Sequence, residues 1–201
     1  MDRLDILDWR RRVFALYDEV RQMAEPSMAH AHWVAERDWL LREHPASPIA
    51  AELRSAYPGP DVAPYDSAYR FVVPLRRDIE PLRRDVPTAT DGVVPFERIG
   101  RVDLLGLGRL DVWWCTVYGG GVFLPVRDPS PKTYGGGRYL LDTIKGADLG
   151  GGPDALIVDL NYAYQPSCAY DPAWTCPLAG PENTLDVELP VGEFYRNVVP
   201  E

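Results

Sequence analysis

The sequence predicts a mainly β, α+β protein: N-terminal amphipathic helices, then an antiparallel sheet that is either curled or closed into a small β-barrel, then a long C-terminal loop. Three observations carry this expectation. The first 44 residues space their apolar side chains by three and four. Most of the 20 prolines and 17 glycines come after that stretch, as they do where short strands meet in tight turns. Finally, residues 161–183, NYAYQPSCAYDPAWTCPLAGPEN, gather two of the three cysteines and four prolines between strand-like runs.

Residues 4–24 carry Ile6, Trp9, Val13, Leu16, Tyr17, Val20 and Met23 on one helical face, and Pro26 ends the run. Ser27 suits the cap of a second helix through HAHWVAERDWLLREH, with Trp33, Leu40 and Leu41 inward and an end before Pro45. Two such faces need a partner surface. It is either the β-rich part of the same chain or another subunit, which would make a homo-oligomer through these helices. The organisation is then a helical segment over 1–44, a Pro/Ala/Ser/Tyr-rich connector over 45–68 and a β-rich domain over 69–201.

The β-prone runs are YRFVVPL, FERIGRVDLL, LDVWWCTVY, VFLPV, ALIVDLN and LDVELPV. Gly106–Gly108 and Gly119–Gly121 stand where hairpin turns belong. In LDVWWCTVY, Trp113, Cys115 and Val117 share one face, while Val112, Trp114, Thr116 and Tyr118 share the other. Both faces carry a tryptophan, so both are expected to be covered, the outer one by the helices or by a ligand cavity.

The net charge of −9 and the absence of a basic run longer than Arg10-Arg11-Arg12 argue against nucleic acid and anionic membrane as partners. The opening MDRLDILDWRRR lacks the apolar core of a signal peptide, and no segment holds the roughly 20 apolar residues of a membrane span. The expectation is a cytoplasmic protein whose thiols are kept reduced.

Candidate chemistry clusters late in the chain. His30 and His32 point apart on a helix, and no histidine follows His44, so neither a metal site nor a Cys-His pair is expected. Cys168 and Cys176 stand in one proline-rich loop, close enough in sequence to pack together or form a short disulfide. Redox or nucleophilic chemistry is the next use for them, and metal binding the last, while Cys115 suits a buried free thiol. The glycines of KTYGGGRYL can form an anion nest beside Arg138 or simply a wide loop entering a strand. Asp159 and Asn161, two apart at the end of ALIVDLN, would share a strand face. With Glu182 and Asn183 they can serve acid/base work, bind a polar ligand or support the loop's own backbone.

TYGGGRYL, VDLNYAYQPSCAY, CPLAGPENTL and the closing LPVGE, in this order and spacing, resemble domain-of-unknown-function family 1684 of prokaryotes. The arginine- and tryptophan-rich helix followed by HPASPI fits too, so the likeness covers most of the chain. Leu160 and Ser167 depart mildly from the phenylalanine and second proline usual in the family, and Cys168, Cys176, Glu182 and Asn183 stay in place. The resemblance implies a β-rich body with an N-terminal helical segment, and it implies no activity.

The expected function is binding of a small-molecule ligand, in a pocket closed by the cysteine loop and touched by Tyr134, Arg138, Asn161, Tyr164, Glu182 and Asn183, with no cofactor. Arg138, Asn161 and Glu182 should then converge on one cavity. The alternative is an enzyme that uses the thiolate of Cys168 or Cys176, with Glu182 or Asp159 as base. A third class is a structural protein whose helices mediate assembly.

Overall fold

The structure, a computed structural model, describes residues 2–88 and 92–197. Helix α1 (Arg3–Gln22) opens on a capping box, Asp2 accepting from the backbone of Asp5 while the Asp5 side chain accepts from Asp2. Helix α2 (Pro26–Glu43) begins with Pro26 in its first turn and has no side-chain cap, so Ser27 lies inside it. A short α3 (Ala51–Arg54) follows.

Among the described residues ten strands come next: β1 (Asp61–Val62), β2 (Arg70–Pro74), β3 (Arg83–Pro87), β4 (Val93–Leu104), β5 (Gly108–Cys115), β6 (Gly121–Val126), β7 (Arg138–Asp142), β8 (Gly151–Gly152), β9 (Ala155–Asp159) and β10 (Glu193–Phe194). They form an antiparallel five-stranded sheet in the order β3-β4-β5-β6-β7, a three-stranded sheet β2-β9-β8 and the pair β1-β10. The α+β class stands, but the sheets stay open and no barrel closes. Strand β7 ends the large sheet, with only isolated bridges from Tyr139 to Tyr164 and from Asp142 to Ala147 beyond it. The run LDVELPV forms no strand; the chain pairs only after it, at Glu193–Phe194.

Both glycine-marked turns are hairpins. Gly106 and Gly108 take φ of 79° and 131° between β4 and β5, and Gly119 and Gly120 take 90° and 59° between β5 and β6. Side chains rarely adopt such values, which is why glycine stands there.

The large sheet is covered on both faces along most of its length, although Trp114 stays 39% exposed, so its end of the outer face is not covered as expected. Val102, Leu104, Leu110, Val112, Leu124, Val126 and Leu140 pack with Leu16, Tyr17, Val20, Ala29 and Trp33 of the two helices. The helices therefore spend their apolar face on their own chain. Phe96, Trp113, Cys115, Phe123 and Tyr139 form a second cluster that takes in Cys176. Val112 thus meets the helices, and Trp113 and Cys115 meet the cysteine loop. No helix among the described residues is long and apolar enough to cross a membrane.

Trp33 joins helix to sheet: it is 2% exposed, packs in the main cluster and meets the Tyr162 ring at 5.2 Å. Trp33→Ala should cost about 3–5 kcal/mol and preserve one cooperative transition, because the helices share the core of the sheet. Urea melts followed by circular dichroism and by fluorescence check this, and two separated transitions would contradict it.

Candidate functional site

Helix α2 drives a charge into the interior. Arg37 stands four residues after Trp33 and three before Leu40, on the inward stripe. Its guanidinium lies 2.7 Å from the carboxylate of Glu193, which is itself 1% exposed. Burial presses the arginine toward neutrality, and the adjacent Glu193 more than reverses that. The same carboxylate accepts from the Gln165 backbone N–H at 3.1 Å and from the Tyr170 hydroxyl. Arg37 also donates to Tyr170 Oη at 2.9 Å, and its guanidinium lies 4.9 Å from the centre of the Tyr164 ring.

Beside this network is a cavity of about 100 Å³. Its walls come from α1 and α2 (Leu16, Tyr17, Trp33 and Arg37), from the β7 edge (Tyr139 and Asp142) and from the cysteine-bearing hallmark loop of residues 161–183 (Tyr164, Gln165, Tyr170 and Cys176). Half-exposed Lys145 lies at its rim, with Nζ 3.5 Å from Asp142 Oδ2. Two buried polar atoms on these walls, Tyr17 Oη and Gln165 Oε1, have no hydrogen-bond partner. The Trp33 indole acts on the Tyr17 hydroxyl without making a well-formed bond to it. Burial raises the Tyr17 pKa, so the phenol stays protonated and its O–H remains a donor.

Of the residues singled out in the sequence, Tyr164 and Cys176 line this cavity, and the others are held elsewhere. Arg138 is fully buried, but its guanidinium donates to Val191 O at 2.7 Å and Glu193 O at 3.2 Å and pairs with Asp128 at 3.1 Å. It is therefore bonded to the chain itself rather than to Glu182. Of the glycines before it, Gly136 and Gly137 let the cysteine loop pack closely, a Cβ on Gly137 lying 2.8 Å from Ala179, while Gly135 faces open space.

Asn161 lies past the end of β9, in a 3-10 turn over Leu160–Tyr162 that Asp159 caps, so the two do not share a strand face. Its amide bonds both backbone groups of Asp66 at 2.8 Å, sealing the connector against β9. Asn183 accepts from Trp113 Nε1 at 2.8 Å and donates to Asp111 O at 2.8 Å and Pro125 O at 2.9 Å. Glu182 pairs with Arg84, which lies 4.9 Å from the centre of the Trp113 ring. Arg138, Asn161 and Glu182 thus belong to three networks and do not converge. Asp159, beside Arg70 and Tyr65, lines a separate groove of about 320 Å³ and does not meet Glu182.

The two loop cysteines are neighbours, and neither is in a disulfide. Tyr134 Oη contacts Cys168 Sγ at 3.8 Å, and the Tyr134 ring packs on Tyr195. Sequence reasoning missed Tyr17, Arg37, Asp142, Lys145 and Gln165. An arginine on an apolar helical stripe was a usable signal for Arg37; Asp142 and Lys145 carried none.

The model of a family described as proteins of unknown function, DUF1684, matches residues 55–194, and the chain belongs to that family. The solution NMR structure of an uncharacterized protein of Haloarcula marismortui is similar, with 29% identity and a TM-score of 0.57 over 82% of this chain and 91% of that one. None of the curated proteins matches. The family match takes in Gln165, Cys168, Cys176 and Glu193, whereas Tyr17 and Arg37 precede it.

Asp159 supplies a test of burial against bonding. Burial raises its pKa above the ordinary 3.8, and the bonds from Asn161 and the charge of Arg70 oppose that only in part. The folded state then binds the proton more tightly than the unfolded chain, so this group's contribution falls as pH rises from about 4 through the folded pKa. Asp159→Asn keeps an oxygen for the Asn161 donors. The variant should be at least as stable as the wild type at pH 7, with its advantage shrinking at pH 4 in urea titrations. An advantage that grows toward acid would contradict the sign.

Proposed function

We propose that this member of the family is a small-molecule-binding protein whose ligand occupies the cavity between the N-terminal helices and the cysteine loop. One observation carries the proposal: Tyr17 Oη and Gln165 Oε1 are both buried, both unpartnered and both on the walls of that cavity. Leaving such a group unpaired costs about 1–3 kcal/mol. Two of them in one space call for a guest that offers an acceptor to the phenol and a donor to the amide oxygen.

Size and lining narrow the guest. A volume of about 100 Å³ corresponds to roughly three waters, or one molecule of a few heavy atoms. Arg37 is already matched by Glu193, and Lys145 by Asp142. The walls therefore carry little spare charge, and a neutral or weakly acidic guest fits them best. Leu16, Trp33 and Tyr139 offer apolar surface to its stem. Pro166, Ser167, Tyr170 and Cys176 form one side of the space, so the loop acts as its cover. Of the alternative chemistry, only Cys176 shares the cavity; Asp159 and Glu182 lie apart from it and from each other.

Tyr17→Phe tests the proposal, because the hydroxyl it removes makes no hydrogen bond to protein. Without ligand the variant should melt within a degree or two of the wild type, or higher. Glycolate, lactamide and phenol, screened by thermal shift and by NMR line broadening, should include at least one compound that binds the wild type. That compound should bind Tyr17→Phe about tenfold more weakly, the loss of one buried hydrogen bond, and should bind Tyr134→Phe unchanged. Equal binding to Tyr17→Phe, or a fall of several degrees in Tm without ligand, would overturn the reading.

A further inference from the structure

Cys168 and Cys176 occupy positions of different character. Cys168 lies in the 3-10 turn Ser167–Ala169, partly exposed, with the Tyr134 hydroxyl at 3.8 Å from its sulfur. Cys176 is partly exposed too, but lines the cavity and packs on the Phe96–Trp113–Cys115–Phe123–Tyr139 cluster. The carbonyl of Pro177, the next residue, accepts from Tyr139 Oη at 2.6 Å, which pins the backbone on which Cys176 is carried. The two thiols are neighbours within the same loop, and neither is bridged.

The surroundings sort the pair. The neighbouring Cys168 thiol is the first cause of a lowered pKa at Cys176; burial works against it, and the Lys145 charge and the Tyr139 hydroxyl assist it. Cys168 moves the opposite way, because Cys176 lies beside it and because of its own burial. One sulfur is thus favoured as thiolate while its neighbour keeps its proton, the division needed for attack followed by resolution. Cys115 provides the contrast. It is 5% exposed, inside the aromatic cluster, with its pKa raised by burial.

We propose that Cys176 is an oxidisable nucleophile and Cys168 its resolving partner, the two consuming one hydroperoxide to form a disulfide within the hallmark loop. The Cys176 thiolate attacks an oxygen of the hydroperoxide, and the O–O bond breaks. The alcohol leaves after taking one proton, and a sulfenic acid remains on Cys176. Cys168 then gives up its proton, and its sulfur displaces the sulfenic oxygen, which departs with that proton as water. Two thiols are oxidised by two electrons, and the hydroperoxide is reduced to an alcohol and water. This inference does not rest on the ligand reading: it needs the two thiols and their neighbours, not an occupied cavity.

The experiment uses the full chain, reduced and freed of reductant, with hydrogen peroxide as probe at neutral pH. Intact mass should fall by about 2 Da, and peptide mapping should join Cys168 to Cys176 with Cys115 still reduced. The wild-type reaction should be at least about tenfold faster than that of free cysteine. In Cys168→Ser a sulfenic acid should accumulate on Cys176, a gain of about 16 Da trapped by dimedone. In Cys176→Ser, Cys168 should stay reduced at the same dose. A wild-type rate no faster than free cysteine would overturn the proposal without recourse to any variant. So would over-oxidation of Cys176 with no disulfide, or wild-type reactivity of Cys168 in Cys176→Ser.

Discussion

The buried pair of Arg37 and Glu193 is the constraint on which the rest of the molecule depends. It joins the middle of α2 to β10 across most of the chain, at 2.7 Å and almost out of solvent. Two buried charges are tolerated only when their remaining donors and acceptors are met. Tyr170 and the Gln165 backbone meet them here, and so the hallmark loop takes its place. Loss of either charge would leave the other unpaired in the interior, at a cost of about 3–5 kcal/mol. The Glu193 backbone is engaged as well. Its N–H donates to Ala163 O at 2.8 Å, and its carbonyl accepts from Arg138. A single residue thus gathers α2, β7 and the loop.

Around that centre, buried polar groups divide into two kinds. Asn161 and Asn183 make bonds from both ends of their amides to the protein's own backbone or indole, and Arg138 is bonded through both terminal nitrogens. They fasten irregular segments that proline and 3-10 turns leave short of regular pairing. Tyr17 and Gln165 are the second kind, with atoms left over on the wall of a cavity, whereas the leftover Nε of Arg138 lies on no such wall. The distinction is one of position as well as bonding, since both kinds are equally buried. It separates scaffold from candidate site in a member of a family described as proteins of unknown function.

Much of the fold was legible in the sequence because local rules governed it. The spacing of Leu16, Tyr17 and Val20 produced a buried helical face, and Gly106 and Gly119 marked real turns. The neighbouring positions of Cys168 and Cys176 followed from a short loop. What failed was the direction of long polar side chains. Arg138 and Asn161 adjoin strands and looked available, but each turns toward backbone that arrives from a distant segment, Val191 in one case and Asp66 in the other. The pairing of β2 with β9, which sets Arg70 opposite Asp159, is equally non-local. Neither periodicity nor composition records which far segment comes to rest where, so the cavity assembled from α1, α2, β7 and the loop could not be anticipated.

The partners in this centre are made at very different times. On the ribosome α2 emerges early, and Glu193 follows only after the sheets, so Arg37 waits for its counter-charge while the intervening strands are synthesised. Contacts of such long sequence separation close late, since chain entropy opposes them until nearer contacts have formed. Until then the apolar face of α2 and the open edge of β7 stay uncovered, the kind of surface that draws chains into aggregates. The negative charge of −9 works against that association through mutual repulsion. Arrival of the LPVGE segment is therefore the event that locks the protein, and shortening the chain before it would leave a nearly complete domain without its fastening.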